Sequence, residues 1–216
     1  MTIRLRYQTI EFGEMDIHVR TLRDKQQYDD KNQVAEKLGI SSAIWPIFGV
    51  LWPSGYELAN YMLSFDLGNR RVLEVGCGIG LASLLLNHMH ADITATDIHP
   101  NVQDFLLENA ALNNDRIIPF ERMDWNNINS KLGKFDLIIG SDLLYEPGHA
   151  RLLSKFIDSH ANKTCEVIII DPNRGLQAKF IKMMVLLGYS HKQCDIESIE
   201  HYDKSFKHTL IKLKRE

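Results

Sequence analysis

Three glycines, Gly76, Gly78 and Gly80, alternate behind an apolar run, Val72-Leu-Glu-Val75, and a lone acidic residue, Asp97, closes the next such run, Ile93-Thr-Ala-Thr-Asp97. Glycine lets a backbone pass close to a ligand where any Cβ would collide with it. A carboxylate at the tip of the following strand is placed to accept hydrogen bonds from a ribose diol. These residues describe a nucleoside pocket. A second set, Gly140-Ser-Asp142-Leu-Leu-Tyr145-Glu-Pro147, ends another apolar run. Ligands of open α/β sheets bind at the carboxyl ends of the strands, so Asp142 and Tyr145 face the same place. A carboxylate and a phenol can orient an incoming nitrogen by hydrogen bonding and help it shed a proton.

Spacing separates two kinds of nucleoside cofactor. A dinucleotide fingerprint reads G-x-G-x-x-G/A, with the third small residue packing helix against strand. Here Leu81 holds that third position and Gly80 falls one residue early. The pattern is G-x-G-x-G preceded by Glu74, and it resembles motif I of the seven-strand S-adenosylmethionine (SAM) methyltransferases. The resemblance implies SAM rather than a nicotinamide dinucleotide. SAM has no pyrophosphate, so the helix opening after Gly80 has no phosphate to cradle. Methylation of an amine is an in-line displacement at carbon that needs a free nitrogen lone pair and no metal. His88 and His90, two apart, point different ways on a helix, and the chain has no H-E-x-x-H or Cys/His set for a metal.

From residue 71 onward strand-like and helix-like runs alternate, which predicts a mostly parallel sheet with helices on both faces. The predicted strands are 71–75, 92–97, 116–121, 135–141 and 165–171. Leu137-Ile-Ile139 and Val167-Ile-Ile-Ile170 are continuous rather than alternating, as in strands buried on both faces. Leu152, Leu153, Phe156 and Ile157 make one helical stripe, and Phe180, Ile181, Met184 and Leu187 another, ended by Gly188 as a C-cap. Residues 189–196 and 206–213 are predicted as a closing antiparallel pair. The first 45 residues differ: 4–9 and 17–21 flank Phe12-Gly13-Glu14 as a β-hairpin, and the polar stretch 24–37 includes a short helix. This extension is too short for an independent domain, and it either helps build the substrate side or covers a sheet edge. The expectation is one domain over 1–216, with the extension at 1–45 and the catalytic core at 46–216.

Leu51-Trp52-Pro53-Ser54 precedes a helix predicted over 56–65, with Ser54 as its cap. Trp52 serves either as a wall beside a sulfonium, where an aromatic face favours positive charge, or as a buried anchor. Trp45 is read as structural. Asp124 and Trp125 follow the third strand, where an adenine lies if Asp97 holds the ribose. The carboxylate can accept from the adenine amino group and the indole can pack on the ring. Ile98 beside Asp97 and Ser141 beside Asp142 complete the expected pocket. Asp171-Pro-Asn-Arg174 ends strand five: Arg174 can meet an acidic substrate group, Asp171 a cationic one, or the four can form a turn. Cys77 has no base beside it and is read as a small residue filling the glycine turn.

At 216 residues the chain can bury a full core without staples. A net charge of −3 argues against broad phosphate neutralisation, so nucleic acid is not an expected partner. No apolar run approaches the roughly 18 residues of a membrane span, and the N-terminus shows no signal-peptide core. Cys77, Cys165 and Cys194 are widely spaced with no C-x-x-C pair, and read as reduced thiols in a cytoplasmic protein.

Taken in order, Leu51-Trp52-Pro53, Glu74 to Gly80, Asp97, Asp124-Trp125 and Asp142-Leu-Leu-Tyr145 resemble the methyltransferase-like seven-strand group that contains protein-lysine methyltransferases. The resemblance implies an α/β, Rossmann-like seven-stranded sheet with helices on both faces, here with the N-terminal β-hairpin added. It implies Asp142 and Tyr145 as catalytic or substrate-positioning residues. It also implies Trp52, Glu74, Gly76, Asp97 and Trp125 as cofactor-pocket residues, beside Gly78, Gly80, Ile98, Asp124 and Ser141. Asn109 and Asn113 match the group's pattern after strand two and are read as structural. The expected acceptor is a nitrogen, first a lysine of a protein substrate, although related members modify arginine or histidine. A metabolite methyltransferase and a SAM-binding module without turnover are the competing readings.

Overall fold

The computed structural model describes residues 4–23, 30, 33–40, 45–126, 131–197 and 207–216. The chain opens with β1 (Leu5–Phe12) and β2 (Met15–Leu22), then α1 (Val34–Lys37), a 3-10 turn at Ile47–Gly49 and α2 (Pro53–Leu63). Strand and helix then alternate: β3 (Val72–Val75), α3 (Leu81–His88), β4 (Ile93–Asp97), α4 (Val102–Leu112) and β5 (Phe120–Arg122). β6 (Phe135–Ser141), α5 (His149–His160), β7 (Ala161–Asp171), α6 (Gln177–Leu186), β8 (Ser190–Glu197) and β9 (Lys207–Arg215) complete the order. Among the described residues no helix is long and apolar enough to cross a membrane.

Seven strands form one sheet in the order β5-β4-β3-β6-β7-β9-β8, and β1 pairs with β2 apart from it. Neighbours from β5 to β7 run parallel, while β9 is antiparallel to both β7 and β8. The continuous apolar strands sit at the centre, as the sequence predicts. Leu137, Ile139, Ile168 and Ile170 turn to the face covered by α2, α3 and α4; Ile138, Val167 and Ile169 turn to the face covered by α5 and α6. A period of two thus divides one apolar run between two cores. α6 stops as expected at Gly188: its N–H donates to Val185 and that of Tyr189 to Met184, the paired bonds of a left-handed helix end.

Outside the hairpin, three boundaries differ most from expectation. β5 begins at Phe120 rather than 116, because Pro119 has no N–H to offer the ladder and Arg116 is bound instead to Asn87 of α3. β7 begins at Ala161, directly after α5, earlier than the predicted 165. α2 begins at Pro53, with Trp52 as N-cap and no side-chain cap bond. Ser54 is therefore inside the first turn, and proline at the opening position, with its fixed φ and missing donor, starts the helix.

The hairpin is longer than expected and belongs to the same core as the sheet. Its inward side chains Phe12, Ile17, Val19 and Leu22 join the cluster that holds α2, α3 and α4, and Phe12 stacks on Tyr56 at 5.6 Å. Its attachment is polar as well. Asn109 and Asn113, one helical turn apart on α4, act as a surrogate strand for β2. Asn109 accepts from the Arg20 N–H at 2.7 Å and donates to its carbonyl at 3.3 Å; Asn113 accepts from and donates to His18, both at 2.8 Å. Residues i and i+4 of a helix share a face, and residues i and i+2 of a strand share an edge, so the two spacings match. Arg20 adds a pair with Glu108. The expected short helix is α1, whose N–H groups at Val34 and Glu36 are held by the Asp30 carboxylate; residues 24–29, 31 and 32 lie outside the described residues.

Asn109→Ala leaves two buried backbone groups of β2 without partners, and is expected to lower stability by about 1–3 kcal/mol in urea unfolding, with Asn113→Ala, at the more exposed end, costing less.

Candidate active site

The strand order reverses between β3 and β6, and the residues singled out in the sequence gather at the carboxyl ends flanking that point. They line one cavity of about 530 Å³. Trp52, Glu74, Gly76, Gly78 and Gly80 meet there with Asp97, Ile98, Asp124 and Trp125, while Ser141, Asp142 and Tyr145 lie on its β6 side. A cavity of this size suits a drug-sized ligand.

The glycine turn is held by two carboxylates. Glu74, buried on β3, accepts from the backbone N–H of Ser83 at 2.9 Å and from the Ser83 hydroxyl, so it anchors the first turn of α3. Burial pushes its pKa up to about 7, with the Ser83 bonds opposing and the Asp97 charge adding to the rise. Asp97 accepts from Gly78 N–H at 2.9 Å on one oxygen and from His99 N–H at 2.8 Å on the other. Burial likewise raises the pKa of Asp97. A carboxylate has about four lone-pair directions, so two backbone bonds leave acceptor capacity toward the cavity. The glycines take φ of 62°, 54° and 71°. A Cβ on Gly78 would stand 3.2 Å from the Phe48 carbonyl, which closes the turn from the N-terminal side.

The segment before α2 forms the opposite wall. Phe48 stacks face to face on His99 at 3.9 Å, and burial depresses the His99 pKa to about 4, with Asp30 opposing. The Trp52 indole N–H donates to the Ile47 carbonyl at 3.0 Å, which anchors it, and its half-buried ring lines the cavity. Trp45 is tied to the Ile40 carbonyl at 2.8 Å. Hairpin residue Leu22 touches Gly49, so the extension buttresses the wall of the pocket. On the far side Asp124 is exposed, and one of its oxygens is used in a local turn with Asn126. Cys77 is pushed well up by burial and by the Asp97 and Glu74 charges, which leaves a protonated thiol, in keeping with its expected filling role.

Asp142 follows β6 in the left-handed region at φ 53°, a conformation Asp tolerates better than most residues. Its N–H bonds the Ile170 carbonyl at 2.9 Å. Its carboxylate meets Arg174, from the loop after β7. Nη2 donates to Oδ2 at 3.0 Å, and Nη1 lies 2.6 Å from the buried Oδ1 as a charge contact. Burial raises the Asp142 pKa, and Arg174 followed by His208 pulls it down. The phenol of Tyr145 is pushed up to about 12 by burial and the carboxylates of Asp97, Glu146 and Asp142. It remains a hydrogen-bond donor at neutral pH. His149 packs edge-on against both Tyr145, at 4.5 Å, and Trp125, at 5.2 Å, and its Nδ1 is 2.9 Å from the Leu143 carbonyl. Neither His149 nor the Asp142–Arg174 pair was read from the sequence. His149 is four residues beyond Tyr145, a spacing that signals contact only where a helix has already begun.

The lysine methyltransferase family profile matches residues 32–186. The chain belongs to the lysine methyltransferase family. It is 31% identical over 134 residues to the electron transfer flavoprotein beta subunit lysine methyltransferase of Danio rerio, covering 60% of this chain and 51% of that protein. To the protein-lysine N-methyltransferase EFM2 of Saccharomyces cerevisiae it is 29% identical over 160 residues, covering 65% of this chain and 36% of EFM2. The chain thus spans about half the length, or less, of these curated relatives. Among solved structures it shares its fold with magnesium protoporphyrin IX methyltransferase of Synechocystis with bound SAM, at TM-score 0.63, 19% identity and coverage of 88% of this chain and 98% of that one. The residues at the glycine turn fit SAM: an acceptor carboxylate at the strand tip, a turn without side chains, and aromatic walls.

Two outcomes are expected for this family member. Gly78→Ala strains a positive φ by about 1–2 kcal/mol and presses on the Phe48 carbonyl, so calorimetry is expected to show SAM affinity lower by about tenfold. Glu74 binds its proton more tightly folded than unfolded, so it contributes stability at low pH that is lost as pH rises from 4.5 through about 7. Glu74→Gln is expected to flatten that fall, as read by chemical unfolding at several pH values.

Proposed function

We propose that this protein transfers the methyl group of SAM to a nitrogen, and most specifically to a lysine side chain of a protein substrate, with Asp142 and Tyr145 as its catalytic pair. The observation that carries the reading is the position of these two residues in a lysine methyltransferase family member. Both line the cavity of the glycine turn, and Tyr145 is exposed at the rim, open to a substrate held outside. A rim of that kind suits a long side chain entering from a protein surface. We take the chain as one methyltransferase domain, since the hairpin shares its core, and place it in the cytoplasm on the strength of its three free cysteines.

SAM supplies an electrophilic methyl group on a sulfonium. The chain does the rest. Asp97 would hold the ribose hydroxyls, Trp125 and Ile98 would pack on the base, and Asp124 would take its amino group with the oxygen left by the Asn126 turn. Phe48 and Trp52 would exclude water from the methionine side. Asp142 and the protonated Tyr145 phenol aim the acceptor nitrogen, which attacks only as a free amine. The ammonium proton leaves toward solvent past Asp142 before attack; the nitrogen lone pair then forms the new N–C bond as the methyl–sulfur bond breaks, its electron pair staying on sulfur as a thioether.

The test is incubation of the protein with methyl-labelled SAM and methyl-depleted lysate, beside Asp142→Ala and Tyr145→Phe. A discrete labelled protein that yields methyllysine on hydrolysis is expected, with transfer down by about a hundredfold or more in Asp142→Ala and less in Tyr145→Phe. The electron transfer flavoprotein β subunit is the first purified acceptor to assay, because a relative is named for it. Label only in small molecules would favour the metabolite enzyme, which residues Leu38 to Ile40 over the cavity would also suit. SAM binding without transfer would favour the binding module.

A further inference from the structure

The carboxylate assigned to the acceptor is not bare. Arg174 covers both oxygens of Asp142 from the solvent side, with the Asp142 side chain 13% exposed and that of Arg174 42% exposed. Both residues line the cavity, so an acceptor reaching the methyl donor meets the pair rather than the carboxylate alone. Around it stand Asp171 at the end of β7, His208 on β9 and Tyr145 after β6, with Asp97 and Glu146 facing the Tyr145 phenol. Asp171 is buried. One of its oxygens accepts from Asn173 N–H at 2.8 Å, while Oδ2 has no hydrogen-bond partner among the described residues. Asp171 thus shapes the loop that carries Arg174 and adds negative charge beside it.

An uncompensated carboxylate would hold an incoming lysine as its ammonium, which has no lone pair and cannot attack carbon. A carboxylate already paired with a guanidinium attracts the ammonium far less, yet keeps lone pairs to accept one N–H of a neutral amine. Arginine suits this task because its fork stays charged and fixes the carboxylate plane, whereas an ammonium is a point charge. We infer that Arg174 is a positioning residue for methyl transfer, holding Asp142 ionised and aimed while cancelling its charge, so that the acceptor site takes a neutral amine. The inference rests on the lysine methyltransferase reading above.

Its test compares the unaltered chain with Arg174→Met and Arg174→Lys, using methyl-labelled SAM and methyl-depleted lysate across a pH series. Thermal unfolding of each variant checks the fold, and NMR of isotope-labelled aspartate carboxyls, assigned with Asp142→Asn, follows the Asp142 titration. Loss of the guanidinium lets the Asp142 pKa rise and strengthens the hold on an ammonium, and both effects act in the same direction. In Arg174→Met the Asp142 titration and the midpoint of the rate profile are each expected to move up by about one pH unit or more, with transfer at neutral pH falling at least tenfold and recovering in part at alkaline pH. Arg174→Lys is expected to restore the midpoint but not the full plateau rate. An unmoved titration and rate profile in Arg174→Met overturns the inference, as does a rate lost equally at every pH. Absence of transfer by the unaltered chain, whatever stands at position 174, overturns the parent reading and the inference with it.

Discussion

A backbone turn with no side chains has nothing of its own to keep it open, and the site depends on how this one is held. Glu74 reaches from β3 to the first turn of α3, and Asp97 reaches from β4 back to Gly78. The two carboxylates pin the turn from both sides, leaving their pKa values raised by burial. The N–H of Ser83 at the start of α3 offsets part of the cost of burying Glu74, and the N–H groups of Gly78 and His99 do so for Asp97. From the N-terminal side the Phe48 carbonyl stands so near that a methyl at Gly78 would crowd it. The glycines therefore answer to a protein constraint as much as to a ligand.

That constraint explains the N-terminal extension. Phe48 is held by its stack on His99 and by Leu22 against Gly49, and Leu22 ends a strand that α4 grips through Asn109 and Asn113. A line of contacts runs from the hairpin through the 3-10 turn to the glycine turn. The hairpin, open in the sequence between a substrate-side element and an edge cover, pairs with no strand of the seven-stranded sheet among the described residues. It packs into the core of helices α2 to α4 and backs the cavity wall through Leu22 against Gly49.

At the other end of the cavity, the same strand order brings the charges of β6 and β7 together. Ser141 pairs with Ile170, so the residues after each strand emerge side by side, and Asp142 meets Arg174 across the gap. In the sequence Arg174 was open between an acidic substrate group and a turn. Its partner proves to be internal, which offsets the Asp142 charge at the cavity wall. Asp142 sits in a left-handed backbone, an uncommon conformation for a residue with a Cβ and one that functional sites favour.

Much of the fold was legible because its signals are local. Continuous runs at 137–139 and 167–170 announce strands buried on two faces, alternating glycines announce a turn, and Gly188 announces a helix end. Each depends on sterics or periodicity within a few residues. The gathering of the pocket residues was legible too, since strand ends in an open parallel sheet must share one edge. Boundaries went astray where a single residue outweighed the pattern: Pro119 delayed β5, and Pro53 rather than Ser54 opened α2. What only the tertiary structure decided are the pairings between distant segments. Arg174 lies 32 residues from Asp142, and Asn109 and Asn113 lie 89 and 95 residues from the strand positions they bind. No local pattern encodes such a pair, because it forms only after shared cores and strand registers have brought both partners to one place.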